Sequence, residues 1–193
     1  MTAADWDAAY EDGATDTPVD GHLTALVDGW DPGTALDLGC GLGQNSIWLA
    51  ARGWTVTGLD IAANAIAGAR RAAAEAGVDV DFAVADVREW QPTAEFDLVI
   101  STFALPARGP GRTAAIEAAA RAVHPGGTLL LVEFDSSLAD EGWMAPRDLV
   151  TVDELVPLLE GFTLVRAEVV ETAHAHGHET RHLPAVVVVA RRR

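Results

Sequence analysis

The chemistry-bearing residues of this chain are two acids and a run of glycines. The stretch Ala35-Leu36-Asp37-Leu38-Gly39-Cys40-Gly41-Leu42-Gly43-Gln44-Asn45 is an apolar strand that ends in a carboxylate and passes into three alternate glycines. A helix is expected to begin at about Gln44. Bare backbone at Gly39, Gly41 and Gly43 lets a ligand approach the main chain closely, because no Cβ intervenes. A second short strand, Thr55 to Leu59, also ends in an acid, Asp60. Two strand-end acids beside a glycine turn suit a nucleoside bound at the carboxyl edge of a parallel sheet. Asp60, as a bidentate acceptor, can take both ribose hydroxyls of such a ligand.

Those residues need a sheet to hold them, and the pattern of the chain supplies one. Strands are expected at Thr34–Leu38, Trp54–Leu59, Val78–Val84, Phe96–Ser101 and Thr128–Phe134. Helices are expected between them, at Asn45–Arg52, Ala62–Ala76 and Thr113–Val123, with a further one at Val152–Leu159. Two β-rich runs, Phe162–Val170 and Ala185–Ala190, have no helix between them and read as antiparallel neighbours. Their linker, Glu171 to Pro184, is polar and rich in His. The fold class is α/β: one doubly wound, Rossmann-like seven-stranded sheet, mostly parallel with an antiparallel C-terminal strand. Residues 1–193 read as a single domain, with 1–32 as a lid or cap segment and 33–193 as the core.

The chain has 193 residues and a net charge of -16, and all 13 of its basic residues are Arg. So acidic a surface disfavours nucleic acid and anionic membranes as partners. The single cysteine, Cys40, cannot form an internal disulfide. Met1 to Asp7 is acidic and lacks the basic and apolar regions of a secretory leader. The expectation is a cytoplasmic protein acting on a small molecule, with no metal.

The glycine turn has two rival readings. A nicotinamide or flavin fingerprint needs G-x-G-x-x-G. Counting from Gly39 the sixth position is Gln44, and from Gly41 it is Ser46, so neither start completes the motif. Asp37-Leu38-Gly39-Cys40-Gly41-Leu42-Gly43 instead resembles motif I of the class I S-adenosylmethionine-dependent methyltransferases. Asp60 stands at that family's ribose-binding acid. Ala85-Asp86-Val87 resembles its adenine contact, Phe96 to Ser101 its fourth strand, and His124-Pro125-Gly126-Gly127 the turn before its fifth. The resemblance implies S-adenosylmethionine as cofactor. It places Asp37, Gly39, Cys40, Gly41, Gly43, Asn45, Asp60, Ile61, Asp86, Val87, Ser101 and Phe103 around it, with Tyr10 covering it from the N-terminal segment. Asp97 reads as structural.

The acceptor is less constrained. The family's amino-group methylases often carry an Asn/Asp-Pro-Pro-Tyr tetrad after strand four, where this chain has Ser101-Thr102-Phe103-Ala104. Gly43 to Ala50 and Ile100-Ser101-Thr102 are similar to small bacterial methyltransferases of the tellurite-resistance type. That resemblance implies a soft sulfur, selenium or tellurium nucleophile, with Gln44 departing from a common Arg. Candidate acceptor-side residues are His178, Arg181 and His182 in the His-rich segment. The competing classes are a non-catalytic sensor or partner subunit that binds the same cofactor, and a nicotinamide oxidoreductase.

Overall fold

The computed structural model describes residues 2–10, 18–141, 144–176 and 179–193. Seven strands form one sheet in the order β3-β2-β1-β4-β5-β7-β6. They are β1 Thr34–Leu38, β2 Thr55–Asp60, β3 Asp81–Val84, β4 Phe96–Thr102, β5 Val123–Phe134, β6 Phe162–His176 and β7 Glu179–Arg192. The first five pair in parallel, and β7 runs antiparallel to both β5 and β6. The expected α/β fold, with its antiparallel end, is therefore present.

Parallel strands buried on both faces must be apolar on both, which is why β1, β4 and β5 read as near-continuous Leu, Val and Ile runs. One face of these strands packs Leu36, Val99, Leu129 and Leu131 with Ile116 of helix α5 (Pro110–Ala122). The other packs Ala35, Leu98, Ile100, Leu130 and Val132 with Leu49 of α3 (Gln44–Ala50) and Leu23 of α2 (Gly21–Leu26). Beside β2 and β3, helix α4 (Ala63–Ala76) seats Ile66, Ala69 and Ala73 on Phe82. Strands β1, β2 and β4 thus end together, and their final residues, with Asp37 one before the end of β1, bring Asp37, Asp60 and Thr102 to one edge.

Some boundaries differ from the expectation. Strand β3 begins at Asp81, not Val78, because Val78 already closes the end of α4 by donating to the Ala73 carbonyl. Strand β5 starts at Val123, not Thr128, since Val123 pairs with Phe96 across a register irregularity that absorbs the His124–Gly127 turn. The expected helix over Val152–Leu159 is one α-helical turn, α6 (Val152–Leu155), tightened into a 3-10 turn at Val156–Leu158 around Pro157. The linker Glu171–Pro184 is the largest correction: it belongs to β6 and β7, which pair through His176↔Glu179. Pairing of β7 to β5 stops at Phe134↔Ala185. Beyond that point the two strands pair only with each other, so nothing requires them to be apolar, and a polar sequence is compatible with strand.

Two polar clamps hold the frame. Asp97 accepts from the Thr34 amide at 2.7 Å, its hydroxyl at 2.8 Å, and from His124 Nε2 at 2.7 Å, which ties β1, β4 and the β5 turn at the edge remote from Asp37. Its expected structural role is met. Arg112 on α5 is 1% exposed and donates to the carbonyls of Pro106, Leu149 and Arg147 and to Glu154 Oε1, all within 2.7–2.9 Å. Replacing Arg112 with Ala takes the donor from the Pro106 and Leu149 carbonyls, and leaves the Arg147 carbonyl and Glu154 to Arg108 alone. Urea unfolding of Arg112→Ala is expected to show a loss of about 3 kcal/mol, and a loss below about 1 kcal/mol would make the clamp decorative.

Candidate cofactor site

The turn after β1 is closed by its neighbours in β2. The amides of Gly39 and Cys40 both donate to the Leu59 carbonyl, at 2.7 and 2.9 Å. The Gly41 amide donates to Asp60 Oδ2 at 2.9 Å, while Asp60 Oδ1 accepts from Ala62 at 2.8 Å. Asp60 therefore shapes the turn before it meets any ligand. Gly39, Gly41 and Gly43 all have positive φ, at 72°, 54° and 84°. At Gly39 the requirement is also steric, because an added Cβ would lie 2.2 Å from the Ala104 Cβ.

Asp37 is 1% exposed and accepts from the Ser46 hydroxyl at 2.6 Å. Burial pushes its carboxyl up to about 7; the Ser46 bond opposes this, and the charge of Asp60 adds to it. Asp60 is likewise raised by burial, against three backbone bonds and with Asp7 adding. The charged neighbours acting on these two acids are Asp60 and Asp20 for Asp37, and Asp7 for Asp60. All are carboxylates. This edge of the sheet is thus electronegative, and a cationic ligand relieves it where a phosphate would worsen it.

The N-terminal segment lies over this turn. In α1 (Ala3–Ala9), Asp7 Oδ1 accepts from the Asn64 amide at 3.0 Å, and the Asn64 side chain donates back to the Asp7 carbonyl at 3.1 Å. Tyr10 follows, and its hydroxyl sits 3.1 Å from where a Cβ on Gly41 would be. Burial raises the Tyr10 phenol to about 12, with Asp60 adding. The rings of Trp6 and Tyr10 stack at 6.4 Å.

Other expected residues take more specific places. Asn45 is a pin: its carbonyl oxygen accepts from the Asp20 amide at 2.9 Å, and its amide donates to Thr102 Oγ1 at 3.0 Å. Cys40 turns its side chain into the Ile66–Phe82 cluster, and burial raises its thiol well above the ordinary value. What Cys40 can offer a ligand is main chain. Ile61, half-buried, follows β2 directly beside Asp60. Val87 packs against the main core cluster, and Ser101 is 2% exposed, in register between Leu38 and Leu131. Asp86 is engaged by its own neighbour: Arg88 reaches it with its amide at 2.9 Å and its guanidinium at 2.5 Å. The guanidinium holds this carboxyl below the usual range. An adenine amino group must share that carboxylate with Arg88. Phe103 has a left-handed backbone, φ 54°, and its ring packs on Phe134 at 4.5 Å.

The C-terminal hairpin divides the proposed acceptor-side residues. Arg181 and His182 are consecutive in β7, so they point to opposite faces. Arg181 shares the face of Leu183 and Thr172, and Thr172 Oγ1 lies 2.8 Å from His22 Nε2. His182 lies on the other face, and His178 lies outside the described residues. Sequence reasoning did not find the partners that make the site: Ser46, Asp20, His22, Thr102, Thr172 and Glu133. Only Glu133 carries a local signal, a lone acid inside Leu129-Leu130-Leu131-Val132-Glu133-Phe134.

A doubly wound sheet with a glycine turn, a strand-end acid over its amide and buried acids along one edge suits a cationic nucleoside. Residues 35–127 match the family described as a methyltransferase domain. That match spans 93 of the 193 residues, and together with the fold it supports a place among the class I S-adenosylmethionine-dependent methyltransferases. It is 35% identical over 112 residues to the ubiquinone biosynthesis O-methyltransferase of Idiomarina loihiensis, covering 56% of this chain and 45% of that one. It is 39% identical over 106 residues to the trans-aconitate 2-methyltransferase of Streptomyces avermitilis, covering 51% and 38%. The chain thus spans under half the length of these curated relatives. In fold it is similar to a protein solved in a study of conversion of a disulfide bond into a thioacetal group during echinomycin biosynthesis, with a TM-score of 0.82, 24% identity, and 100% and 92% of the two chains covered. TehB from Haemophilus influenzae superposes with a TM-score of 0.76 at 18% identity, covering 97% of this chain and 67% of its own.

Asp37 makes a pH prediction for the free protein. Its unfolded carboxyl titrates at about 3.9, and burial pushes the folded one up to about 7. The folded state therefore favours the protonated acid. That stability is complete below the unfolded value and is lost as pH rises through about 7. Urea midpoints measured from pH about 4 to about 8 should fall more steeply for wild type than for Asp37→Asn. Parallel curves would show that Asp37 is not the titrating group.

Proposed function

We propose that this domain binds S-adenosylmethionine and transfers its methyl group to a small-molecule acceptor with a soft nucleophilic atom. The observation that carries the first half is the pair of buried acids, Asp37 and Asp60, each raised further by a neighbouring carboxylate. A sulfonium with an ammonium tail matches such a site, and a dinucleotide with its phosphates does not. Asp60 would take the ribose hydroxyls with lone pairs left after binding Gly41 and Ala62. Gly39 and Gly41 would offer main chain, and Asp37 would face the ammonium. Bound there, the cofactor supplies a methyl carbon already activated by its sulfonium.

The chain's own residues then align the acceptor and keep water out. Tyr10 and α1 act as the lid, and Phe103, Phe134, Leu183 and Met144 form an apolar wall beside the edge. This wall supports a soft, weakly hydrated acceptor atom, which needs no strong general base. Arg181, on the strand face that carries Thr172, would steer an anionic acceptor. His182 would act only on an acceptor that reaches the opposite face. The family relatives that methylate oxygen keep a hydroxyl acceptor as the competing reading. The protein acts without nucleic acid or membrane partners, in the cytoplasm. Among the described residues, no helix is long and apolar enough to cross a membrane.

Three measurements test this. S-adenosylhomocysteine should raise the Tm by mass action and NAD should leave it unchanged; stabilisation by NAD alone overturns the cofactor reading. Asp60→Ala should weaken S-adenosylhomocysteine binding by about 1–3 kcal/mol. Acceptor class is read by incubating the protein and S-adenosylmethionine with thiols, selenite and tellurite, and in parallel with phenols and amines. Product from the first set alone supports the soft acceptor. Product from phenols or amines alone refutes it, and cofactor binding without any turnover points to a sensor.

A further inference from the structure

The loop that follows β4 carries the one non-glycine residue with positive φ among those described, Phe103 at 54°. A left-handed backbone is disfavoured for a bulky side chain and persists only where its surroundings over-determine it. Here four consecutive residues are pinned. The Phe103 amide donates to the Val132 carbonyl at 2.8 Å. The amides of Ala104 and Leu105 both donate to Glu133 Oε1, at 2.8 and 2.7 Å. The Pro106 carbonyl accepts from buried Arg112 at 2.7 Å. Glu133 is the one side chain that takes two of these bonds, and it is 4% exposed. Its carboxyl is pushed up to about 7 by burial, against the two amides and Arg112.

The consequence reaches the glycine turn. Ala104, held by Glu133, packs so tightly on Gly39 that no Cβ could stand between them. Phe103, held one residue earlier, stays against Phe134. A single carboxylate from β5 therefore sets both the outer wall of the cofactor turn and the aromatic border of the acceptor side.

We propose that Glu133 is a positioning residue for methyl transfer: by accepting the Ala104 and Leu105 amides it locks the Phe103 turn, seats Ala104 on Gly39 and keeps Phe103 at the acceptor border. The inference rests on the cofactor reading given above. It requires an acceptor oxygen at this point in space and does not require a negative charge.

The test is S-adenosylhomocysteine binding by calorimetry on the full chain, with backbone amide exchange read at Ala104 and Leu105. Glu133→Gln keeps the acceptor oxygen and should bind within about threefold of wild type, with both amides still protected. Glu133→Leu removes both acceptor bonds, and should lose about tenfold or more in affinity and expose both amides. A folded Glu133→Leu that binds like wild type overturns the proposal, as does a Glu133→Gln that loses tenfold. If the Leu variant does not fold, Glu133→Asp decides: its carboxylate is drawn back by one methylene, so affinity should drop about tenfold, and wild-type affinity overturns the proposal. Wild-type protein that does not bind S-adenosylhomocysteine removes the cofactor reading and this role with it. Loss of affinity confined to the variants leaves the cofactor reading intact.

Discussion

Burying a carboxylate without a cation is among the less favourable things a fold can do, and this structure does it twice at one edge. Asp37 and Asp60 lie at the ends of adjacent strands, and both are desolvated beside further acids. Much of the surrounding architecture follows from that constraint. Asp60 is satisfied by folding the glycine turn back so that Gly41 and Ala62 can donate to it, which in turn demands positive φ where only glycine is comfortable. Asp37 is satisfied by Ser46, which fixes where α3 must begin. The charge that remains is what a cationic nucleoside would relieve.

Around that edge the N- and C-terminal parts of the chain converge. Asp20 reaches Asn45 with its amide, Asn45 reaches Thr102, and His22 meets Thr172 on the projecting hairpin. The segment before β1 is thereby pinned both to the glycine turn and to the last strands. Such a bridge is built of single hydrogen bonds, each of modest net worth. The apolar anchoring comes from Leu23 and Val27, which enter the core beside Leu49 and Trp54. The same division recurs after β4, where Leu105 packs on the core while Glu133 and Arg112 direct the backbone.

The hairpin shows how strand geometry edits a list of candidate residues. His178, Arg181 and His182 form a basic cluster when written as a sequence. In a strand, neighbours alternate between faces, so Arg181 and His182 part company. The alternation follows from the extended backbone itself, and it was hidden because a polar, His-rich stretch carries no hydrophobic period to reveal it as strand.

The parallel strands, their order of appearance, the glycine turn and both strand-end acids were legible in the chain, because each depends on local chemistry: apolar runs for buried strands, glycine for positive φ, an acid where a strand stops. The antiparallel end was legible for the same reason, since no crossover helix separates the last two apolar runs. Only the tertiary structure decided who satisfies those acids. Ser46 lies nine residues from Asp37, Gly41 nineteen from Asp60, and Thr172 one hundred and fifty from His22. It also decided that Asp86 answers to Arg88, that Asn45 is a pin, and that Glu133 holds the Phe103 turn. These are hydrogen bonds between groups brought together by packing, and no local preference of either partner announces them.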